Sequence, residues 1–332
     1  MAITGIKALR RLMLGKETTP GTAVDTTTYW RGIGTIQENR VVVFPEEDIG
    51  IFPGTFRNYA ARADAILELE STEATYEQLP YIFEMGIAHD TAATTDGKFS
   101  YKFPIQSTDI YQSTDLGTYT WEGGDNVGVV AFDHGFVRSF NLSGDAGGAL
   151  MVNAEVMGGE VAPTSDNAFT AGVSIPTVEE VLFSMGRIYI SNSGGTIGST
   201  DDVVSDTLIS ANLAVNTGWT PVYTASGSLD WSFLKQVSPE VTLSVTFEHN
   251  TSALAELAAW RLNSARLIRL YFTNADASKT LTIDMAGSWD NFEKIGERDG
   301  NDIVTGNFRV RYSSADALFF EIELVNGLAA LP

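Results

Sequence analysis

Residues 140–159 read FNLSGDAGGALMVNAEVMGG, and residues 308–327 read FRVRYSSADALFFEIELVNG. Displaced by 168 positions, Phe140 falls on Phe308, Ala149 and Leu150 on Ala317 and Leu318, Glu155 on Glu323, and Gly159 on Gly327. Trp121 falls on Trp289 at the same spacing. Both stretches alternate apolar and polar residues around a small-residue turn, the pattern of strands with one wet face. An earlier pair, AILELESTEATYEQLPYIFEMG (65–86) and LSVTFEHNTSALAELAAWRLNS (243–264), matches at a displacement of 178. In each, an alternating run enters a polar turn and then a helical spacing. Thr72 or Thr75 could cap the first helix, and Asn250 or Thr251 the second. Tyr76, Leu79, Ile82 and Phe83 form one apolar stripe, with Leu254, Leu257 and Trp260 as its counterpart. Each helix is expected to run about 14 residues, roughly 20 Å. The change from 178 to 168 puts ten extra residues between Gly86 and Trp121, where DTAATTDGK (90–98) reads as a polar loop.

The two halves also begin alike. RLMLGKETTPGTA (11–23) and RIYISNSGGTIGS (187–199) each pass from a short apolar strand into a Gly/Ser/Thr-rich loop. APTSDNAFTAGVSIPTVEE (162–180) has the composition of a connector. The expectation is therefore a mainly β fold with one short helix per module. Two tandem β-sandwich or barrel-like modules related by duplication would occupy 1–163 and 181–332, joined by a linker at 164–180. Two long copies do not make a solenoid, which needs more and shorter repeats. They fit paired domains with an internal pseudo-two-fold, or a ring that needs an even number of modules.

Composition narrows the function classes. With 332 residues, 44% hydrophobic and 11% aromatic, the chain can bury two ordinary cores and is not a disordered tail. Cysteine is absent, which removes disulfides, thiolate nucleophiles and thiolate metal sites. Neither a signal peptide nor a membrane-spanning run is expected, so no membrane insertion is anticipated. Lys and Arg total 21 against 42 Asp and Glu, a net charge of −21. Residues 1–170 carry 11 basic and 23 acidic side chains and residues 171–332 carry 10 and 19, so the acidity is spread over both halves. Such a surface repels nucleic acid and argues against a sequence reader.

Motifs for chemistry are sparse. GKETT (15–19) and GGTIGSTDD (194–202) hold phosphate-loop letters without the GxxxxGK[ST] spacing. His89, His134 and His249 sit at no metal-ligand spacing and read as turn or surface residues. ERDGNDIV (297–304) lacks the distal Glu of a calcium loop and reads as a tight turn. There is no GxSxG elbow. NLS (141–143) and NTS (250–252) fit the glycosylation pattern only by letters. No catalytic residue, cofactor or metal is expected.

GKETTPGTA (15–23), followed by a β-rich module with a single short helix, resembles the tail tube proteins (major tail proteins) of long-tailed bacteriophages. The resemblance extends over essentially the whole chain, although only that stretch is motif-like. It implies modules that are β-sandwiches flanked by a helix and closed into rings of six. A duplicated module implies a homotrimer with pseudo-sixfold symmetry, stacked into a tube of the virion and assembled in the host cytoplasm. The implied partners are the chain itself, a tape-measure protein in the lumen, and terminator and distal tail or baseplate proteins at the ends. Genomic DNA would pass through without specific binding.

Four strands per module would give about 24 in the ring. At ~4.8 Å spacing and ~40° tilt the backbone diameter is roughly 48 Å, and side chains leave a channel of roughly 38 Å. A duplex about 20 Å wide fits, and an acidic wall would release no counterions to hold it. Candidate lumen-facing residues are the polar members of alternating strands: Glu68, Glu70, Asn153, Glu155, Thr242, Ser244, Thr246, Glu248, Glu321 and Glu323. Arg309 and Arg311 could pair with Glu321 and Glu323 and soften the wall. Candidate ring-to-ring contacts are Lys16, Glu17, Thr18, Thr19, Pro20, Gly21 and Thr22, in a stretch too polar to form a core alone. Two other classes stay open. One is a carbohydrate-binding or adhesive β-sandwich using some of Trp30, Trp121, Trp219, Trp231, Trp260 and Trp289. The other is a hydrolase with a carboxylate pair.

Overall fold

The computed structural model describes residues 4–88, 92–95, 97–105, 116–199, 202–204 and 207–331. His89 and residues 90, 91 and 96 of the expected polar loop lie outside them. Strands hold 52% of the chain and there are two short α-helices among the described residues, so the fold is mainly β. The first half runs β1 (Arg11–Lys16), β2 (Thr28–Tyr29), β3 (Gly34–Val43), β4 (Tyr59–Glu73), α1 (Leu79–Gly86), β5 (Ala93–Thr95), β6 (Lys98–Ile105), β7 (Tyr119–Gly124), β8 (Val129–Asp145), β9 (Met151–Gly158) and β10 (Ala162–Pro163). The second runs β11 (Gly186–Asn192), β12 (Leu208–Asn216), β13 (Trp219–Val222), β14 (Phe233–Gln236), β15 (Glu240–Glu248), α2 (Thr251–Arg261), β16 (Arg266–Thr273), β17 (Thr280–Phe292), β18 (Gly296–Arg298), β19 (Asn301–Val310) and β20 (Phe320–Asn326).

Alternation decides the sheets. In β15 every second residue (Val241, Leu243, Val245, Phe247) is buried, and those between face water. The strands pair antiparallel in the order β3-β4-β9-β8 in the first half and β12-β15-β19-β17 in the second. Ser139–Asp145 of β8 pair with Ser210–Asn216 of β12 and fuse the two into one eight-stranded sheet. Behind it lie smaller sheets, β2-β1-β7-β8-β10 and β11-β16-β17-β20-β6-β5. The long strands β8 and β17, of 17 and 13 residues, each bend to serve both layers of their half. One continuous cluster of buried side chains, including Trp121, Phe83 and Phe103 with Phe247 and Trp289, spans both halves. Each such side chain stabilises the fold by about 1.5–3 kcal/mol through burial.

The strand pairings correct the displacement of 168. At that spacing β8 falls on β19 and β9 on β20, yet β9 and β19 hold the same place in their sheets, next to β4 and β15. β20 leaves the large sheet to pair with β17 and β6. Two hairpins with the same alternation look alike in sequence even when their neighbours differ.

Within the polar loop expected at 90–98, Ala93–Thr95 form the strand β5 paired with β6, and β6 extends the second half's small sheet. The connector is not slack at its end. The Glu179 carbonyl accepts from Tyr76 N at 3.1 Å, Glu180 bridges Thr75, and Val181 and Phe183 are buried.

Both helices are shorter than expected, 8 and 11 residues. Thr72 still belongs to β4 and Thr75 is engaged with Glu180, so neither caps α1. The α1 stripe of Tyr76, Leu79, Ile82 and Phe83 is buried as expected, but so is every other residue of that helix. In α2 the inward face is Ala253, Glu256 and Ala259, and Leu254 is 47% exposed. Glu256 accepts from Arg266 Nε at 3.0 Å and Trp289 Nε1 at 2.8 Å, which fixes the rotation of α2.

Candidate functional site

The outer face of the eight-stranded sheet is an extended, organised polar surface. Its register brings side chains into rows. One row runs Thr35, Glu68, Glu155, Ser139, Asn216 and Glu240. The next runs Asn153, Asn141, Ala214, Thr242, Arg309 and Ser288, and a third runs Met151, Ser143, Asn212, Ser244, Asn307 and Asn291. Directly opposed residues of an antiparallel pair point the same way. Eight of the expected residues therefore share this face: Glu68, Glu70, Asn153, Glu155, Thr242, Ser244, Thr246 and Glu248. Hydroxyls and amides dominate it and bond across strands, as Thr246 to Thr305 at 3.0 Å and Asn307 Nδ2 to Asn291 Oδ1 at 2.7 Å.

Glu321 and Glu323 are not on this face. They sit on β20, half-buried, with Lys102 Nζ at 3.6 and 3.4 Å. Period-two alternation told which side of a strand is polar but not which sheet the strand joins. For the same reason the expected pairs with Arg309 and Arg311 do not form. Arg309 instead meets Glu240 at 3.0 Å on the large sheet, and Arg138 meets Glu155 at 3.2 Å. Asp145 is gripped by both terminal nitrogens of Arg298, which holds its carboxyl below the usual range. The face is thus a polar carpet on which Glu155, Glu240 and Asp145 are paired with arginines while Glu68, Glu70 and Glu248 have no ion pair among the described residues.

The sheet has two open edges. Among the described residues, no strand pairs with the outer side of β3 or with the far side of Ser288–Phe292 in β17. Long unpaired edges are templates for another chain unless something covers them.

The β8–β12 junction inside the chain shows how such edges can be closed. The connector from β12 to β15, residues 217–239, folds back onto the first half as an arm. Trp219, Trp231 and Leu234 are buried there against Leu116, Phe136 and Met157. Trp219 Nε1 donates to Gly86 O at the end of α1, and Trp231 Nε1 to Gly158 O at the end of β9, both at 3.1 Å. Tyr223 Oη donates to Asp64 Oδ2 at 2.7 Å. Sequence reading named Trp219 and Trp231 only among the candidate carbohydrate-binding aromatics and did not recognise the arm. Two tryptophans inside a Ser/Pro-rich connector were the available signal.

The His134 ring lies against Trp231, centroids 4.1 Å apart and planes tilted by 41°, and burial lowers its pKa to about 4. It is a structural, neutral imidazole at ordinary pH. Burial raises Asp230 to about 6, and the charges of Asp133 and Glu160 push the same way.

The loop 16–22 is less free than expected. Lys16 is bonded to the buried Glu84 at 2.7 Å. Glu17 is itself 6% exposed and accepts from Gly21 N, Thr118 Oγ1, Thr120 Oγ1 and His134 N. Burial raises its pKa against those hydrogen bonds. Lys16 and Glu17 therefore anchor the loop, Glu17 buried and Lys16 partly exposed, whereas Thr18, Thr19, Gly21 and Thr22 are exposed.

Among the described residues no group of three or more His, Asp or Glu could hold a metal ion. Five tryptophans are buried, and the sixth, Trp260, is partly so, donating Nε1 to Asp290 O at 2.9 Å. No family model matches the chain, and no curated protein matches it.

Proposed function

We propose that the chain is the subunit of a hollow ring that stacks into a tube, a tail tube protein of a long-tailed bacteriophage. The observation that carries the reading is the eight-stranded sheet, polar on one face and open at both edges. Its internal junction joins β8, the last strand of one four-strand set, to β12, the first of the next. β17 and β3 are the last and first strands of the same two sets, so β17 of one copy can pair with β3 of another by the same operation. An operation that repeats between unlike edges closes into a ring when its rotation divides the circle, and runs on as an open helix when it does not.

Three chains supply 24 strands, which at ~4.8 Å spacing and ~40° tilt enclose a channel of roughly 38 Å. The parallel strand order of the two halves supports descent from one duplicated module, with three copies giving six positions. The polar carpet would line the channel. Its arginines are matched by carboxylates, so a passing duplex finds few cations from which to release counterions. A tape-measure protein would occupy the lumen during assembly, and terminator and distal tail or baseplate proteins would close the ends.

The test is negative-stain electron microscopy of the purified chain, with and without a tape-measure fragment. Rings or stacked tubes with a central channel are expected. Compact monomers under both conditions, at high protein concentration, would overturn the reading.

A further inference from the structure

The arm at 217–239 has a counterpart without a seat. The connector between β3 and β4, residues 44–58, occupies the same position in the first half as 217–239 does in the second. It is a hairpin-like projection: Glu46 bridges Thr55, Glu47 N donates to Gly54 O, and Arg57 Nε meets Glu47 at 2.7 Å. Gly50 and Gly54, with φ of 76° and 68°, make its turns. Its apolar side chains lie in the open. Phe44 is 60% exposed, Phe52 105% and Phe56 72%, with Ile49 and Ile51 near half. That is a large apolar concentration for one short segment. At the displacement of 178 that relates β4 to β15, Phe56 falls on Leu234, which is 4% exposed in its own arm.

The second half presents the corresponding place with no arm on it among the described residues, and with Ser288 and Arg309 where the register puts Phe136 and Met157 in the first half. In the first half the seat is framed by the end of α1, the bend of β8 and the end of β9. The corresponding points are the end of α2, the bend of β17 and the end of β19. A cleft of about 220 Å³ lies there, lined among others by Ala265, Gly287, Arg311 and Tyr312. Leu262 beside it is 77% exposed and Tyr312 44%. Arg261 and Arg311 are exposed at this end, and the arm brings exposed Glu46 and Asp48 while its Glu47 is held by Arg57, so the remaining charges are complementary.

We infer that residues 44–58 of one copy dock on the second half of a neighbouring copy, at the cleft between α2, β17 and β19, as residues 217–239 dock on the first half within the chain. The occupant is thus a second copy of this chain. The inference rests on the ring reading and names the contact that would lock each junction between chains.

The native chain has no cysteine, so pairs can be introduced cleanly. Phe56→Cys and Tyr312→Cys are made in separate chains, mixed and oxidised, with Phe56→Cys plus Ile175→Cys as the control pair. All three positions are exposed and leave the core untouched. Disulfide-linked heterodimers at least tenfold above the control are expected, together with rings by microscopy. Rings with no excess cross-link would overturn the arm inference and leave the ring standing. Cross-links without rings would keep the arm contact and overturn the ring. Neither product would overturn both. As a second variant, Phe52→Asp with Phe56→Asp is expected to weaken association at least tenfold by sedimentation, with an unchanged circular dichroism spectrum. Unchanged association would count against the docked arm.

Discussion

The two helices occupy the same place in their halves and are held there by opposite means. α1 has no side-chain cap and carries Pro80 near its start, yet every one of its residues is buried. α2 is capped by Asn250, whose Oδ1 accepts from Ser252 N at 3.0 Å and Ala253 N at 3.1 Å, but only three of its residues are buried. One helix exists because tertiary structure encloses it; the other because its local sequence favours it. The difference follows from what lies around them. α1 is packed among β6, β7 and β8, with Phe83 against Phe103 and Phe140 and Tyr81 against Tyr119, and Trp219 of the arm seals its last residue, whereas α2 rests chiefly on β17.

Substitutions can break this contrast, and the largest effect is expected at the arm itself. Trp219→Ala removes a fully buried ring and the donor to Gly86 O, and should cost about 3–5 kcal/mol in urea unfolding. A loss below about 1 kcal/mol would mean that the arm is ornamental to α1. Glu84→Gln takes the charged partner from Lys16 and weakens the 2.5 Å hydrogen bond from Tyr119 Oη. Because the Lys16 side chain is 26% exposed while Glu84 is buried, the loss should be about 1–3 kcal/mol, and the same unfolding curves would register it.

A smaller effect is expected at the arm's carboxyl. Asp230 has a folded pKa near 6 against an ordinary 3.8. Between those values the folded chain keeps a proton that the unfolded chain releases, so stability falls as pH rises through that window. Asp230→Asn should remove this part of the slope, seen as a flatter plot of melting temperature against pH. An unchanged slope would exclude Asp230 as its source. Asn250→Ala should cost only about 1 kcal/mol, the usual worth of an N-cap. If it cost as much as Trp219→Ala, the claim that α2 stands on local structure and α1 on enclosure would collapse. Leu254→Ala, on the exposed face of α2, should change stability by less than about 0.5 kcal/mol in the isolated chain.

The same contrast explains what could be read from the residues. Strands such as β4 and β15 were legible because burial on one face writes a period of two into the sequence. Asn250 was legible as a cap because capping is a short-range hydrogen bond. Partner choice was not legible. Phe140 and Phe308 head similar hairpins, but which strand lies beside each is decided by packing across the whole core. Glu321 and Glu323 were misplaced for that reason. Eight of the ten candidate residues do share one face, because their strands belong to the large sheet. Glu17 looked like a loop residue by its neighbours Lys16 and Thr18. Its four hydrogen-bond donors come from residues 4 to 117 positions away, beyond any local pattern.

The junction between β8 and β12 also has a kinetic meaning. For the proposed ring, six junctions must close, and three of them already exist inside the chains. Covalent connection by residues 164–185 holds the two halves at an effective concentration on the order of millimolar or more, far above that of free subunits. Ring formation then needs encounters among three bodies instead of six. Nucleation should rise with about the third power of protein concentration, so assembly would begin from a far more dilute pool than six separate modules would require.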